Sequence, residues 1–116
     1  KKPSSFIARF LSETELVKFN SISNINKKIL YLAGRWVAKE AVVKALGTGF
    51  RNGLYLNQIS IINNELGQPK VLFSDLTEQY VRTLLSNVTQ QSSYLIHLSL
   101  SNEVDYATST AIVEII

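Results

Sequence analysis

Hydrophobic and polar positions along the first half of the chain predict two helices. Ser12, followed three residues later by Glu15, is typical of a capping box and predicts a short helix that carries apolar residues on one side. A second, longer helix is predicted from a cap at Asn26 to about Leu46. Gly47 then supplies the left-handed conformation that commonly ends a helix.

The second half of the chain predicts four strands and one more helix. Strands are expected at residues 58–63 and 71–73, joined by a glycine- and proline-containing turn at residues 65–69. Ser74 or Asp75 is expected to cap a helix whose apolar residues recur at helical spacing, namely Leu76, Tyr80, Leu84 and Val88. Two further strands are expected at residues 94–100 and about 106–115.

This order of elements predicts the fold class. Helices, two strands, a helix and two strands indicate an α+β domain with a mostly antiparallel sheet, packed on a long central helix. The chain has 116 residues, of which 46% are hydrophobic and 18% charged. This length and balance favour a single globular domain over residues 1–116.

Composition excludes several classes of site. The chain has no cysteine, which excludes disulfides, thiolate catalysis and zinc–thiolate centres. The net charge of +3 is mild and fits an acidic partner or a phosphorylated ligand. No apolar run is long enough to cross a membrane, and the first residues lack a signal-peptide core, so we expect a cytoplasmic protein without a membrane partner.

A carboxylate lies within an apolar face of the long helix. Placing successive residues about 100° apart puts Glu40 in the middle of a stripe made of Ile29, Ala33, Trp36, Val37 and Val43. A buried carboxylate must be neutralised, paired or bound to a cation. One interpretation is therefore a metal ligand, and the other is an ion pair with Lys44 one turn later. Position alone leaves both open.

Three cations on the same helix precede a flexible turn. Arg35, Lys39 and Lys44 are followed directly by the turn Gly47-Thr48-Gly49. Cationic side chains next to glycines suit a polyphosphate, because the glycines let the backbone approach closely. The alternative is an ordinary helix C-terminus, where the helix dipole favours cations and glycine is a common cap.

The helix that carries these residues resembles a known family. Residues 32–49 read LAGRWVAKEAVVKALGTG, and this segment is similar to the signature helix of holo-acyl-carrier-protein synthases, which are 4′-phosphopantetheinyl transferases. Flanking segments agree: residues 6–16, the turn at residues 65–69, the run His97-Leu98-Ser99-Leu100-Ser101 and the pair Tyr106-Ala107. The resemblance covers nearly the whole chain from Phe6 onward.

The resemblance implies a 4′-phosphopantetheinyl transferase-like fold and a reaction in fatty acid biosynthesis. The family transfers the 4′-phosphopantetheine arm of coenzyme A to a serine of an acyl carrier protein and releases 3′,5′-adenosine bisphosphate. The resemblance also implies Mg²⁺ as the cofactor, with Glu40 as the metal ligand that this helix supplies. Family members begin with a strand whose aspartate shares the metal with the glutamate, and this chain contains no such segment. We expect that this sequence starts after that strand, and the alternative is a protein that lacks half of the metal site.

The resemblance also implies roles for individual residues. Glu40 and Lys44 are the expected catalytic residues, with Lys44 at the phosphate that is attacked and Arg35 and Lys39 at the other phosphates. The expected set for coenzyme A is Arg35, Lys39, Lys44, Gly47, Thr48, Gly49, His97 and Ser99. The family forms homotrimers with active sites between subunits, so we expect His97 to reach coenzyme A across an interface. The alternative for His97 is a half-exposed structural residue on a strand.

Arg9 is the candidate for docking the carrier protein. Carrier proteins are acidic, and an arginine at the rim of an interface steers association. An ordinary solvated arginine before a helix is the other interpretation.

Two other functions compete with the transferase. The first is a non-catalytic module that binds coenzyme A or a carrier protein. The second is a small basic nucleic-acid-binding domain, which predicts exposed aromatic side chains among lysines and arginines. Trp36 and Phe73 lie instead in patterns typical of a core, so we expect no nucleic-acid partner.

Overall fold

The computed structural model describes residues 2–48, 55–87, 93–103 and 106–116. In this part of the chain, no helix is both long and apolar enough to cross a membrane. The helices are α1 (Lys2–Phe10), α2 (Glu13–Ser21), α3 (Ile25–Leu46) and α4 (Asp75–Ser86), and the strands are β1 (Ile59–Asn63), β2 (Pro69–Phe73), β3 (Tyr94–Asn102) and β4 (Ala107–Ile115). A short 3₁₀ turn, Leu56–Gln58, precedes β1.

Local capping interactions explain where the helices begin and end. The predicted capping box of α2 is confirmed, since Ser12 and Glu15 each accept a hydrogen bond from the other residue's backbone N–H. The start of α3 was predicted two residues late, because the side chain that caps it belongs to Asn24. Gly47 ends α3 with a φ of 86°, as predicted. Helix α1 was not anticipated from the sequence.

The strands form two small antiparallel sheets. In the first, β1 pairs with β2 so that Ile59 lies opposite Phe73. In the second, β3 pairs with β4 so that His97 lies opposite Ile112. The inner face of the β3–β4 sheet packs against α3, and the predicted α+β class with antiparallel strands on a long helix is confirmed.

The core lies against one face of α3. Its buried residues come from α3, β1 and α4, namely Ala38, Val42, Val43, Leu46, Ile59, Ile61, Val81 and Leu85. The apolar stripe predicted from helical periodicity is wrong for this helix, because Ile29 and Trp36 are exposed and of that stripe only Val43 joins the core. Both faces of α3 are rich in small apolar residues, so periodicity alone did not distinguish them.

The prediction for helix α4 was partly right, because Tyr80 and Leu84 are partly buried against the core. Leu76 is 78% exposed, and Val88 lies outside the described residues. The buried positions are one residue further along the helix, at Thr77, Val81 and Leu85. Of the two predicted cap positions, Ser74 and Asp75, Ser74 occupies the N-cap, but its side chain makes no capping hydrogen bond.

This assignment of the buried face of α4 can be tested by paired truncations. We expect Leu85→Ala to lower the free energy of unfolding by about 2–5 kcal/mol, because it leaves a cavity in the core. Leu76→Ala removes the same atoms from the exposed face and is expected to change stability by less than about 0.5 kcal/mol. Urea unfolding of both variants measures the difference, and equal losses would contradict the assignment.

Candidate functional site

Lys39 is buried inside the molecule and uses all of its hydrogen-bond donors. Its Nζ atom donates to the backbone oxygen of Phe10 at 2.8 Å, to Oε1 of Glu15 at 2.7 Å and to the backbone oxygen of Leu56 at 2.8 Å. Neither the Lys39 nor the Glu15 side chain has any exposed surface. An ammonium group has three N–H bonds, so no donor of Lys39 remains for another ligand.

Glu15 is equally well bonded on its side of this pair. Besides Lys39, its Oε1 atom accepts from the backbone N–H of Ser12 at 3.0 Å, and Oε2 accepts from the backbone N–H of Ile61 at 2.7 Å. The carboxylate therefore caps α2, fixes β1 and neutralises Lys39 at once. Complete bonding is what a buried charge requires.

The surroundings of Lys39 correct its predicted role. Burial lowers the pKa of the Lys39 ammonium, while the Glu15 carboxylate beside it opposes this change. A lysine that contacts phosphate needs donors at a surface that the ligand can reach. Lys39 was expected to bind a coenzyme A phosphate, and the structure places it instead in an interior ion pair.

Arg35 lies one turn before Lys39 on the same side of α3 and lines a small cavity. Its side chain is 8% exposed, and its guanidinium carbon lies 4.4 Å from the centroid of the Tyr31 ring. Burial raises the pKa of the Tyr31 phenol, and the Arg35 charge opposes that change. Within the described part of the chain, the Nε atom of Arg35 is buried and has no hydrogen-bond acceptor. The cavity has a volume of about 270 Å³ and also contains Lys18.

Glu40 and Lys44 lie on the outer surface of α3. Their side chains are 41% and 73% exposed, and Oε2 of Glu40 lies 3.7 Å from Nζ of Lys44. The ion pair at i, i+4 spacing is therefore present, and the expectation that Glu40 is buried in an apolar stripe is wrong. The stripe around Glu40 faces outward, because the core packs on the other side of α3.

The donor set at Glu40 is compatible with a magnesium ion that relies on its substrate for further ligands. Magnesium takes oxygen ligands, keeps several waters and is commonly held by one or two carboxylates together with substrate phosphates. Glu40 supplies one accessible carboxylate. Within the described ranges, no cluster of three or more His, Cys, Asp or Glu side chains could hold a metal without a substrate.

The turn after α3 is explained by helix termination. The N–H of Gly47 donates to the carbonyl of Lys44 and that of Thr48 to the carbonyl of Val43, which is the Schellman arrangement. Gly47 has a positive φ, and a Cβ atom there would meet nothing within 4 Å, so conformation rather than space accounts for the glycine. Gly49, the last residue of the predicted phosphate turn, lies outside the described residues.

His97 and Ser99 occupy the exposed face of β3. His97 Nε2 lies 2.8 Å from Oε1 of Glu114 on β4. A cavity of about 460 Å³ lies between this part of β3 and the turn before β2, where Gly67 adopts a φ of 85°. Lys70 on β2 also lines the cavity and brings a cation close to His97.

The sheet separates these two groups of predicted site residues. Successive side chains of a strand point to opposite faces, and the neighbours of His97, Ile96 and Leu98, pack toward α3. His97 and Ser99 therefore point away from the helix that carries Glu40 and Lys44. Within one chain, the structure does not bring the two groups together.

Arg9 lies on the exposed surface of α1 beside a row of aromatic rings. The rings of Phe6 and Phe10 are stacked with centroids 5.9 Å apart, and the ring of Trp36 on α3 is 5.9 Å from that of Phe10. Phe6 and Trp36 are exposed, whereas Phe10 is buried. The row runs from α1 to the outer face of α3, and Trp36 lies one turn before Glu40.

Two residues at this site were missed by sequence reasoning. The capping box located Glu15 at the start of α2, but nothing local connects it to Lys39, which is 24 residues later. Tyr31 was overlooked, although it lies four residues before Arg35 on the same helix face. The spacing of Tyr31, Arg35 and Lys39 on α3 is the signal that could have revealed a polar inner face.

The different positions of Lys39 and Lys44 predict different effects on stability. Lys39→Met leaves the Glu15 carboxylate buried without its counter-ion, and we expect a loss of about 3–5 kcal/mol in the free energy of unfolding. Lys44→Met removes an exposed ion pair and is expected to cost less than about 0.5 kcal/mol. Urea unfolding followed by Trp36 fluorescence compares the two, and similar midpoints would contradict the interior ion pair.

Comparison with known proteins identifies the family. Residues 1–109 match the model of the 4′-phosphopantetheinyl transferase superfamily. The holo-(acyl-carrier-protein) synthase of Vibrio parahaemolyticus is 38% identical over 109 residues, which are 94% of this chain and 79% of that protein.

Two solved structures also match. The holo-(acyl-carrier-protein) synthase of Neisseria meningitidis superposes with a TM-score of 0.78 and 29% identity, over 95% of this chain and 80% of that one. The Plasmodium yoelii acyl carrier protein synthase with ADP bound has a TM-score of 0.74 and 29% identity, over 97% and 80% of the two chains. The chain belongs to the 4′-phosphopantetheinyl transferase superfamily.

Proposed function

We propose that the protein transfers the 4′-phosphopantetheine group of coenzyme A to a serine of an apo acyl carrier protein, in the cytoplasm and for fatty acid biosynthesis. The observation that carries the proposal is the exposed Glu40–Lys44 pair on the outer face of α3, in a chain of the 4′-phosphopantetheinyl transferase superfamily. The Vibrio parahaemolyticus and Neisseria meningitidis proteins are holo-(acyl-carrier-protein) synthases, which supports the same activity here.

The reaction is a displacement at phosphorus. The serine oxygen forms a bond to the phosphorus that bears pantetheine, and the bond from that phosphorus to the bridging oxygen breaks. The serine proton passes to a base, and 3′,5′-adenosine bisphosphate leaves with the bonding electrons. Such reactions depend mainly on positioning and on neutralising negative charge. An exposed cation next to a carboxylate on a rigid helix fits both needs.

Lys44 is the proposed phosphate contact on the outer face of α3, and Arg35 is proposed to hold a separate phosphate on the inner side of the helix. The Lys44 ammonium is exposed, so it can neutralise the phosphate that is attacked. Arg35 has a buried Nε atom without an acceptor among the described residues and lines a cavity with Lys18, which suits another phosphate group. Gly47 and Thr48, which directly follow α3, are proposed to extend this phosphate site. Lys39 is left out, because its donors are used inside the molecule.

Glu40 is the proposed ligand for Mg²⁺. Its carboxylate is accessible and is the kind of oxygen ligand that magnesium prefers, with the remaining positions left to phosphate oxygens and water. When bound, Mg²⁺ would supply charge neutralisation at the pyrophosphate. Glu40 would hold the ion next to Lys44, because the carboxylate and the ammonium lie on the same face of α3.

The proposed nucleotide part of the site involves His97 and Ser99. They border the cavity of about 460 Å³ on the exposed face of β3, and Lys70 adds a cation there. A related synthase has ADP bound, which supports a nucleotide ligand. Because the sheet separates His97 from Glu40 within one chain, we propose that one site combines α3 of one copy with β3 of another, in a homotrimer.

The acidic carrier protein is proposed to dock on α1. Arg9 is exposed there and provides a cation for a negatively charged partner. Phe6 on the same helix and Trp36 on α3 are exposed, and both contact the buried ring of Phe10, so apolar side chains extend from α1 toward Glu40. A carrier bound along this row would bring its serine to the face of α3 where the phosphates are proposed to bind.

The activity is tested by incubating the protein with an apo acyl carrier protein, coenzyme A and magnesium. We expect the intact mass of the carrier to increase by one phosphopantetheine group. A carrier of unchanged mass, together with measurable binding of coenzyme A, would instead favour a non-catalytic binding module.

The role of Glu40 is tested by Glu40→Gln. This variant keeps the size of the side chain but removes its charge, and we expect magnesium-dependent turnover to fall by at least about a hundredfold with an unchanged circular dichroism spectrum. Glu78→Gln is the control for the loss of an i, i+4 ion pair on a helix, because glutamine keeps an oxygen that can accept from the Tyr94 hydroxyl as Glu78 does. Normal turnover of Glu40→Gln would show that Glu40 is not a metal ligand.

The role of Lys44 is tested by calorimetry. We expect Lys44→Ala to weaken the binding of coenzyme A by roughly 10–100-fold, as for the loss of a charge-assisted hydrogen bond. Lys27→Ala is the control, since Lys27 lies roughly 25 Å away along the same helix. Equal affinity of the two variants would remove Lys44 from the site.

A further inference from the structure

We propose that the Glu15–Lys39 ion pair is a positioning element that holds α1 in a fixed place relative to Glu40. This inference rests on the proposed function, because it assigns the pair to the alignment of the docked carrier with the phosphate site. Neither residue contacts a substrate in this proposal. They act through α1 and α3.

The first support is the way α1 is attached. Phe10 is the last residue of α1, and its carbonyl is one of those that a helix leaves without an intrahelical partner. Nζ of Lys39 donates to this carbonyl at 2.8 Å, where the helix dipole also favours a cation. The bond is buried, whereas the side-chain bond from Asn57 to the carbonyl of Ala8 in α1 is exposed and longer at 3.3 Å.

The second support is the position of Lys39 in the chain. It directly precedes Glu40 on α3, so their side chains point about 100° apart from neighbouring points of one rigid helix. A displacement of Phe10 relative to Lys39 is therefore a displacement of α1 relative to Glu40. Arg9, the proposed docking residue, directly precedes Phe10. The proposed docking residue is thus connected to the proposed catalytic carboxylate by two peptide links and one hydrogen bond, from Arg9 to Phe10, from Phe10 to Lys39 and from Lys39 to Glu40.

The third support is that the contact between α1, α2 and α3 is an ion pair with directional hydrogen bonds. A buried ion pair is often no more stabilising than well-packed apolar residues of similar size. Its hydrogen bonds are directional, however, and Lys39 meets acceptors from α1, α2 and the 3₁₀ turn at 2.7–2.8 Å. Apolar contacts allow these elements to slide against each other, whereas three directed bonds fix their placement. Fixed placement is what the transfer of a bulky group between two docked substrates requires.

A double-mutant cycle between Arg9 and Lys39 tests the proposal. We expect Lys39→Met to raise the KM for the carrier protein about tenfold and to leave the KM for coenzyme A within about twofold. Because Arg9 depends on the placement of α1, Arg9→Ala should have a much smaller effect in the Lys39→Met background than in the wild type. A purely structural role would lower the active fraction, and therefore kcat, without this coupling.

Lys28→Met is the matched control. Lys28 also lies on α3 and donates from Nζ to a helix-terminal carbonyl, that of Phe19, at 2.9 Å. It anchors the end of α2 rather than α1. We expect its KM for the carrier to stay within about twofold of the wild type and its effect to be additive with that of Arg9→Ala.

If Lys39→Met does not fold, the cycle is run with Glu15→Gln/Lys39→Met, which removes both charges and leaves no buried ion unpaired. Additive effects with Arg9→Ala, or equal changes in the two KM values, would overturn the positioning role. Wild-type turnover in the same experiment tests the proposed transferase activity on its own. If the wild type is active but the variants keep the wild-type KM for the carrier protein, the transferase activity stands and only the positioning role is contradicted.

Discussion

The structure depends on one buried charge. Lys39 has no exposed side-chain surface, and a charge in that position is tolerated only if every donor finds an acceptor. The acceptors come from α1, from α2 and from the 3₁₀ turn, while the same Glu15 carboxylate holds the first turn of α2 and the backbone of β1. The need to satisfy the two charges of this ion pair therefore decides how α1, α2, the 3₁₀ turn and β1 are arranged around α3.

The same constraint divides α3 into two faces with different tasks. With Lys39 turned inward, the helical period places Glu40 outward and brings Lys44 one turn later onto the same outer face. Arg35 joins Lys39 on the inner side, where its ring contact with Tyr31 continues the polar interior. The three cations that are close together in the sequence are therefore separated: Arg35 and Lys39 lie on the inner side of α3, and Lys44 pairs with Glu40 on the outer face.

Local signals and long-range contacts explain how much could be predicted. The capping box at Ser12 and the end of α3 at Gly47 depend on a few neighbouring residues, and both were predicted correctly. The inner face of α3 was not, because both of its faces are apolar and only the packing of β1, α4 and the β3–β4 sheet selects one. The burial of Lys39 depends on Glu15, which lies 24 residues earlier in the chain. The family resemblance covers only the order of residues, so it assigned Lys39, like Lys44, to a phosphate of coenzyme A.

The sheet sets a further condition on the proposed activity. His97 and Ser99 point away from α3, so a site that uses them together with Glu40 needs a second copy of the chain. The exposed face of the β3–β4 sheet carries Leu95 and Ile112 beside His97, and both leucine and isoleucine side chains are at least half exposed. Burying apolar surface of this kind stabilises an interface. The association that would cover these side chains is also the one that would complete the proposed site, so catalysis and assembly would depend on the same face of the molecule.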